Sequence, residues 1–244
     1  MQKSWKSVKP TRRQIFAAGA VATVASIAST STAFAADDYG SGELGPWQDL
    51  SNAIATPATI RAVRDANGVY MFGDSISVQD GYTLAERLHT DGILLAVHNW
   101  SGRPTTPAVD ALQDWATTYG MPQRILMATG TNDIFNPPVF AAQVDRTMSI
   151  VGTTRTVIWV NVQASRTSQA AAVQLADQRN SGWINLQLAD AQKRHPNLKI
   201  VHWAEFLAAK PSRMSPTMYL RDGVHTTVPL GQNARNELIA QTIS

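Results

Sequence analysis

The chain has 244 residues, with 21 Lys and Arg, 18 Asp and Glu, and no cysteine. The missing cysteines exclude thiol nucleophiles, iron–sulfur clusters and cysteine zinc sites, so packing must supply the stability. Five of the basic residues and none of the acidic ones precede Ala36, which leaves 16 against 18, a net of −2, in the remainder; that balance gives no support to a nucleic-acid partner.

The first 35 residues read as an export signal. Lys3, Lys6, Lys9, Arg12 and Arg13 precede a mildly apolar stretch from Ile15 to about Ala28, and Ala33-Phe34-Ala35 closes it as an A-x-A cleavage site. Thr11-Arg12-Arg13-Gln14-Ile15-Phe16 looks like a twin-arginine signal, with general export as the alternative route. A transmembrane anchor is the rival reading, but the run is too short and too rich in Ala, Ser and Thr to span comfortably. No second apolar span follows, so no stable membrane insertion is expected after cleavage. The remaining 209 or so residues suit one well-cored domain.

Residues 36–68 read as an N-terminal arm, irregular at first, with a short helix before Asn67-Gly68. From Val69 onward, short apolar runs alternate with longer helical patterns. Strands are expected at Val69–Phe72, Ile93–Val97, Ile125–Ala128, Thr156–Asn161 and Lys199–His202. Helices are expected near Thr83–His89, Ala108–Tyr119, Val139–Ile150 and Ala171–Arg194. A last helix runs from about Pro229 to Gln241, with proline where a first helical turn tolerates it. This alternation predicts an α/β fold whose parallel sheet of about five strands carries helices on both faces.

In such a sheet, sites form beyond the carboxyl ends of the strands. Gly73-Asp74-Ser75-Ile76-Ser77 follows the first strand, Asn99-Trp100-Ser101-Gly102 the second, and Gly130-Thr131-Asn132-Asp133 the third. Asp222-Gly223-Val224-His225 precedes the last helix and can fold back onto the same edge. A serine hydroxyl is a weak nucleophile until a base takes its proton, and the base needs a third group to orient it. Asp222 and His225 are spaced so that the carboxylate reaches the imidazole Nδ1–H and leaves Nε2 for Ser75. The Gly102 N–H, the Asn132 side-chain NH₂ and the Ser75 amide can serve as oxyanion donors.

In their order and residues, these four blocks resemble the SGNH hydrolases, the GDSL-like lipase/esterase family, in an exported bacterial form. The resemblance spans roughly Val69 to Ser244. It implies a flavodoxin-like three-layer α/β/α sandwich, with Ser75 as nucleophile, His225 as base and Asp222 as its orienter. It also implies an oxyanion hole completed by Gly102 and Asn132, and no cofactor or metal. Val160-Asn161-Val162-Gln163 and Asp222–Thr226 resemble, more loosely, the SGNH domains attached to some bacterial envelope acyltransferases. The implied activity is hydrolysis of O-acyl esters, acetyl foremost, on envelope or extracellular carbohydrate. Transfer of the acyl group to a sugar hydroxyl is the nearest alternative. A lipase or lysophospholipase is less favoured, although Pro211–Leu220 could form a cover. A non-catalytic carbohydrate-binding module is the rival from another class, and it would be expected to have lost Ser75, His225 or Asn132.

Other polar residues have plainer readings. Asp74 and Asp133 read as loop braces. His89, His98, His195 and His202 lack metal-ligand spacing; His195 suits a helix end, and His98 and His202 read as structural. Trp100 and Arg103 flank the glycine block and are candidates for lining an acyl or sugar site, with surface packing the alternative. Arg166 is a weaker candidate of the same kind. Trp115, Trp159 and Trp183 read as core or helix-packing residues. No Walker loop or dinucleotide fingerprint is present. The nucleophile block also lacks the second glycine of a Gly-x-Ser-x-Gly elbow, which argues against the α/β-hydrolase fold.

Overall fold

A computed structural model describes residues 39–214 and 218–244; the expected export signal lies outside the described residues. Six strands form one sheet in the order β1-β3-β2-β4-β5-β6. They are β1 (Asn52–Ile54), β2 (Val69–Gly73), β3 (Leu95–Trp100), β4 (Arg124–Ala128), β5 (Thr156–Val160) and β6 (Leu198–Val201). β2 to β6 run parallel, and β1 pairs antiparallel with β3 at the edge. The sheet is therefore mixed, with one strand more than the apolar runs predict. Only three residues of β1 pair and two of them are exposed, so it carries no apolar run to betray it.

The parallel strands have the flavodoxin-like order, in which the chain leaves the centre in both directions and opens a crevice at the switch point. Side chains alternate between faces with the strand period of two. Tyr70, Phe72, Ile125, Met127, Val157 and Trp159 pack on one side with Ile60, Leu112, Val144 and Ile184. These last four belong to α1 (Pro57–Asp65), α3 (Thr105–Tyr119), α4 (Pro138–Val151) and α5 (Ala171–Arg194). Val69, Met71, Leu126, Ile158 and Val160 face the other way, against Leu84, Leu88, Trp203, Leu207 and Ile239. These lie on α2 (Ser75–Thr90), α6 (Trp203–Ala208) and α7 (Leu230–Ile243). The result is a three-layer α/β/α sandwich with both sheet faces dry.

α1 is the short helix expected before Asn67-Gly68. Thr56 caps it by accepting from the Thr59 N–H, with Pro57 in the first turn. α2 begins eight residues before the apolar pattern suggests, at Ser75 itself, because Asp74 caps it. β3 starts later than expected and includes Asn99 and Trp100. Trp203–Ala208 is a helix that the sequence reading does not anticipate. Among the described residues, no helix is long and apolar enough to cross a membrane. Pro211–Met214 is a 3-10 turn tied to α6, where Arg213 donates to the Phe206 carbonyl and stacks on its ring. The rest of the expected cover includes residues outside the described ones.

Candidate active site

The loops beyond β2, β3 and β4 meet the loop before α7 at one edge of the sheet. Ser75 is the first residue of α2. The Asp74 carboxylate, which is fully buried, accepts from the Ile76 N–H at 3.0 Å and fixes that helix start. Burial raises the Asp74 carboxyl above its ordinary range, against the opposing effect of Arg235. Ser75 Oγ lies 2.8 Å from His225 Nε2. On the far side of the ring, His225 Nδ1 lies 2.8 Å from Asp222 Oδ2. The other Asp222 oxygen accepts from the backbone N–H groups of His225 (2.7 Å) and Val224 (3.0 Å). Partial burial alone would raise the Asp222 carboxyl, but these bonds and the imidazole outweigh it and leave it below the usual range. A carboxylate at Asp222 requires the proton on Nδ1, which leaves the Nε2 lone pair to accept from the Ser75 hydroxyl.

Gly223 lets this turn form. Its φ is +84°, and a Cβ there would lie 1.7 Å from the Ser165 carbonyl oxygen. The same approach allows Ser165 N–H to donate to Gly223 O and Thr167 N–H to Asp222 O. The Asp-x-x-His loop is thus stitched to the segment after β5.

Gly102 has φ +73°, and a Cβ there would meet Trp47 Cβ at 2.8 Å. Asn132 opens onto the same space from a 3-10 turn after β4. Its Nδ2 donates to the Arg103 carbonyl at 3.1 Å, which fixes the amide orientation and engages one of its two hydrogens. Gly102, Asn132, Ser75 and His225 together line a cleft of about 570 Å³. A smaller cavity of about 240 Å³ also reaches Ser75, Asn132 and His225, with Phe135 and Arg166 in its lining.

The three residues read as substrate contacts fare differently. Arg103 is 1% exposed and turns inward, so its reading as a substrate contact is wrong. It donates to the carbonyls of Gly73 (2.8 Å) and His98, and to His98 Nδ1 (2.8 Å). It braces the carboxyl ends of β2 and β3. Trp100 packs edge-on against Trp47 and is absent from the lining of both cavities. Arg166 does line the smaller cavity, but its guanidinium is paired with the buried Asp177 at 2.8 Å and lies over the Phe135 ring.

Asp133 is a brace: it accepts from the Thr105 N–H and hydroxyl, and burial pushes its carboxyl up to about 6. Trp115 and Trp159 are core residues, whereas Trp183 is 41% exposed and rests against Tyr39. The sequence reading misses Leu50 and Ser51 in the cleft wall. They arrive there because Ser101 N–H donates to Ser51 O and the two serine hydroxyls pair at 2.9 Å. It also misses the buried Asp80, Thr226 and Arg235, which lie outside the cleft lining but adjoin the loop that carries His225, although an Asp in the apolar pattern of α2 is a visible signal.

No protein-family model matches this chain, and no curated protein matches it. Solved structures do. A GDSL-like lipase from Bacteroides thetaiotaomicron superposes with a TM-score of 0.60 at 18% identity, covering 75% of this chain and 90% of its own. The C-terminal catalytic domain of Streptococcus pneumoniae peptidoglycan O-acetyltransferase A, solved with a methylsulfonyl adduct, gives 0.56 at 18%, covering 73% and 90%. A member of the lipolytic G-D-S-L family from Veillonella parvula gives 0.53 at 17%, covering 72% and 94%. At these identities the likeness is one of fold, and the chain shares its three-layer α/β/α architecture with SGNH and GDSL hydrolase structures.

Proposed function

We propose that this protein is an exported serine esterase that hydrolyses O-acyl esters, acetyl foremost, of envelope or extracellular carbohydrate. The observation that carries the reading is the unbroken chain Ser75 Oγ–His225 Nε2 and Nδ1–Asp222, at 2.8 Å for each link, beside Gly102 and Asn132. Ser75 Oγ attacks the ester carbonyl while its proton passes to His225 Nε2. The carbonyl oxygen becomes an oxyanion held by the Gly102 N–H, the Asn132 NH₂ and the Ser75 N–H. The C–O bond to the alcohol then breaks, and the alcohol leaves with the proton from His225. Water, deprotonated by His225, attacks the acyl-enzyme, releases the acid and restores Ser75. The depressed Asp222 carboxyl keeps a negative charge behind the imidazolium that forms twice in this cycle.

A second reading has the acyl group pass to a sugar hydroxyl instead of water. It is favoured by the likeness to a domain named as a peptidoglycan O-acetyltransferase and by the open cleft beside Ser75. A panel of p-nitrophenyl esters and acetylated polysaccharides, with Ser75→Ala as control, tests the esterase reading. Turnover that survives Ser75→Ala counts against it. Adding an acceptor sugar and comparing free acid with acylated sugar separates hydrolysis from transfer.

Export belongs to the same proposal. The mature N-terminus is expected at or near Ala36, measured by N-terminal sequencing. Arg12-Arg13→Lys-Lys is expected to block export by the twin-arginine route, and unimpaired secretion of that variant favours general export.

A further inference from the structure

α2 carries Ser75 at its first position and, five residues on, the fully buried Asp80. Asp80 faces the residue that follows His225. The Thr226 hydroxyl donates to the Asp80 carboxylate, 2.9 and 3.0 Å from its two oxygens. Gln79 Nε2 donates to the Thr226 carbonyl (3.1 Å) and lies 2.7 Å from its Oγ1. Arg235, buried on α7, sits 3.7 Å from Asp80. Gln232 Nε2 donates to the Gln79 carbonyl, and Asn236 Nδ2 to that of Asp80. A buried acid and base thus occupy the seam between α2 and α7, where apolar side chains would pack at lower desolvation cost. From this seam Asp80 and Gln79 both hydrogen-bond to Thr226.

The His225 loop therefore has two tethers. Its Asp222 side is stitched to Ser165 and Thr167. Its Thr226 side is anchored to the helix that presents Ser75. A helix advances about 1.5 Å per residue, so Ser75 and Asp80 stand about 7.5 Å apart along one rigid rod. We propose that Thr226 and Asp80 are positioning residues for His225: through them α2 sets the distance between the serine hydroxyl it carries and the imidazole that must take its proton. The inference rests on the esterase reading for its consequence, but its geometric content stands apart from activity.

The test compares Thr226→Val, which keeps the shape and removes the hydroxyl, with Thr226→Ser, which keeps the hydroxyl. A misplacement of about 1 Å costs on the order of 10²-fold in rate. Thr226→Val is expected to lose kcat by a factor of about 10–100 with KM nearly unchanged, and Thr226→Ser to restore most of it. The second readout is the imidazole Nδ1–H proton of His225 by NMR in the Ser75→Ala background, where no turnover is involved. It is expected to broaden or vanish in Thr226→Val and return in Thr226→Ser. If Thr226→Val does not fold, Thr226→Ala, which is smaller than the native side chain, carries the same comparison. A folded variant with a lower melting temperature but unchanged kcat and an unchanged Nδ1–H signal overturns the proposal. So does a Thr226→Ser variant as impaired as Thr226→Val. If the wild type turns over no ester, the esterase reading falls and the NMR comparison still decides the anchor.

Discussion

Asn132 is the one side-chain donor in the proposed oxyanion hole. Its amide is oriented by the Arg103 carbonyl, so its second hydrogen is committed before substrate arrives. A donor fixed in this way strengthens its bond as carbonyl becomes oxyanion, and it acts on kcat more than on KM. Asn132→Ala is expected to fold, to accept a phosphonate label slowly, and to lose on the order of 10²–10³ in kcat. Steady-state kinetics on a p-nitrophenyl ester checks this, and near-normal kcat places the hole elsewhere. That Ser75, His225 and Asn132 meet at one edge of the sheet was legible in the sequence, because each lies in a polar block next to the end of an apolar run or the start of a helix. Arg103 was not. It stands beside the glycine block like a surface cation, and nothing local reveals that the carbonyls of Gly73 and His98 both lie within its reach.

Elements place these groups, and they were legible to the degree that they are apolar. β2, β4 and β5 are almost entirely buried and announce themselves as runs. α5 is bounded at Ala171–Arg194 as expected. β1 is the opposite case: a brief, half-exposed edge strand specified by pairing with β3, which no local pattern encodes. The loop carrying Asp222 and His225 depends on Gly223, and here the cost is calculable. Positive φ alone costs a non-glycine residue roughly 1–2 kcal/mol, and the Cβ would overlap the Ser165 carbonyl, where no flexible side chain can yield. Gly223→Ala is therefore expected to lower stability by more than that amount and to reduce esterase activity through the displaced Asp222–His225 pair. Thermal melts and kinetics on the same preparation check it; a variant with native melting temperature and native kcat contradicts the account of this loop.

At the scale of the whole molecule, the buried polar groups make stability depend on pH. His98 accepts from Arg103 at Nδ1, a bond that protonation destroys. Burial and the Arg103 charge push the His98 imidazole down from 6.5 to about 4. Between those values the unfolded chain binds a proton at His98 that the folded chain does not, so the His98 contribution to stability falls as pH drops from 6.5 towards 4, against the opposite contribution of Asp133, whose raised carboxyl takes up its proton first in the folded chain. His98→Asn keeps an acceptor for Arg103 and removes the titration. Its denaturation midpoint is expected to fall less than that of the wild type across that window, and parallel curves contradict the assignment.

The two dry faces of the sheet and the crevice at its switch point bring loops from distant parts of the sequence to one edge. Ser75 and His225 lie 150 residues apart in the chain and 2.8 Å apart in space. The measurement that tests the central claim most directly is mass-spectrometric mapping of the residue labelled by a serine-reactive organophosphonate. The account predicts a single adduct on Ser75, abolished together with turnover in Ser75→Ala. An adduct on another serine, with Ser75→Ala still active, contradicts it.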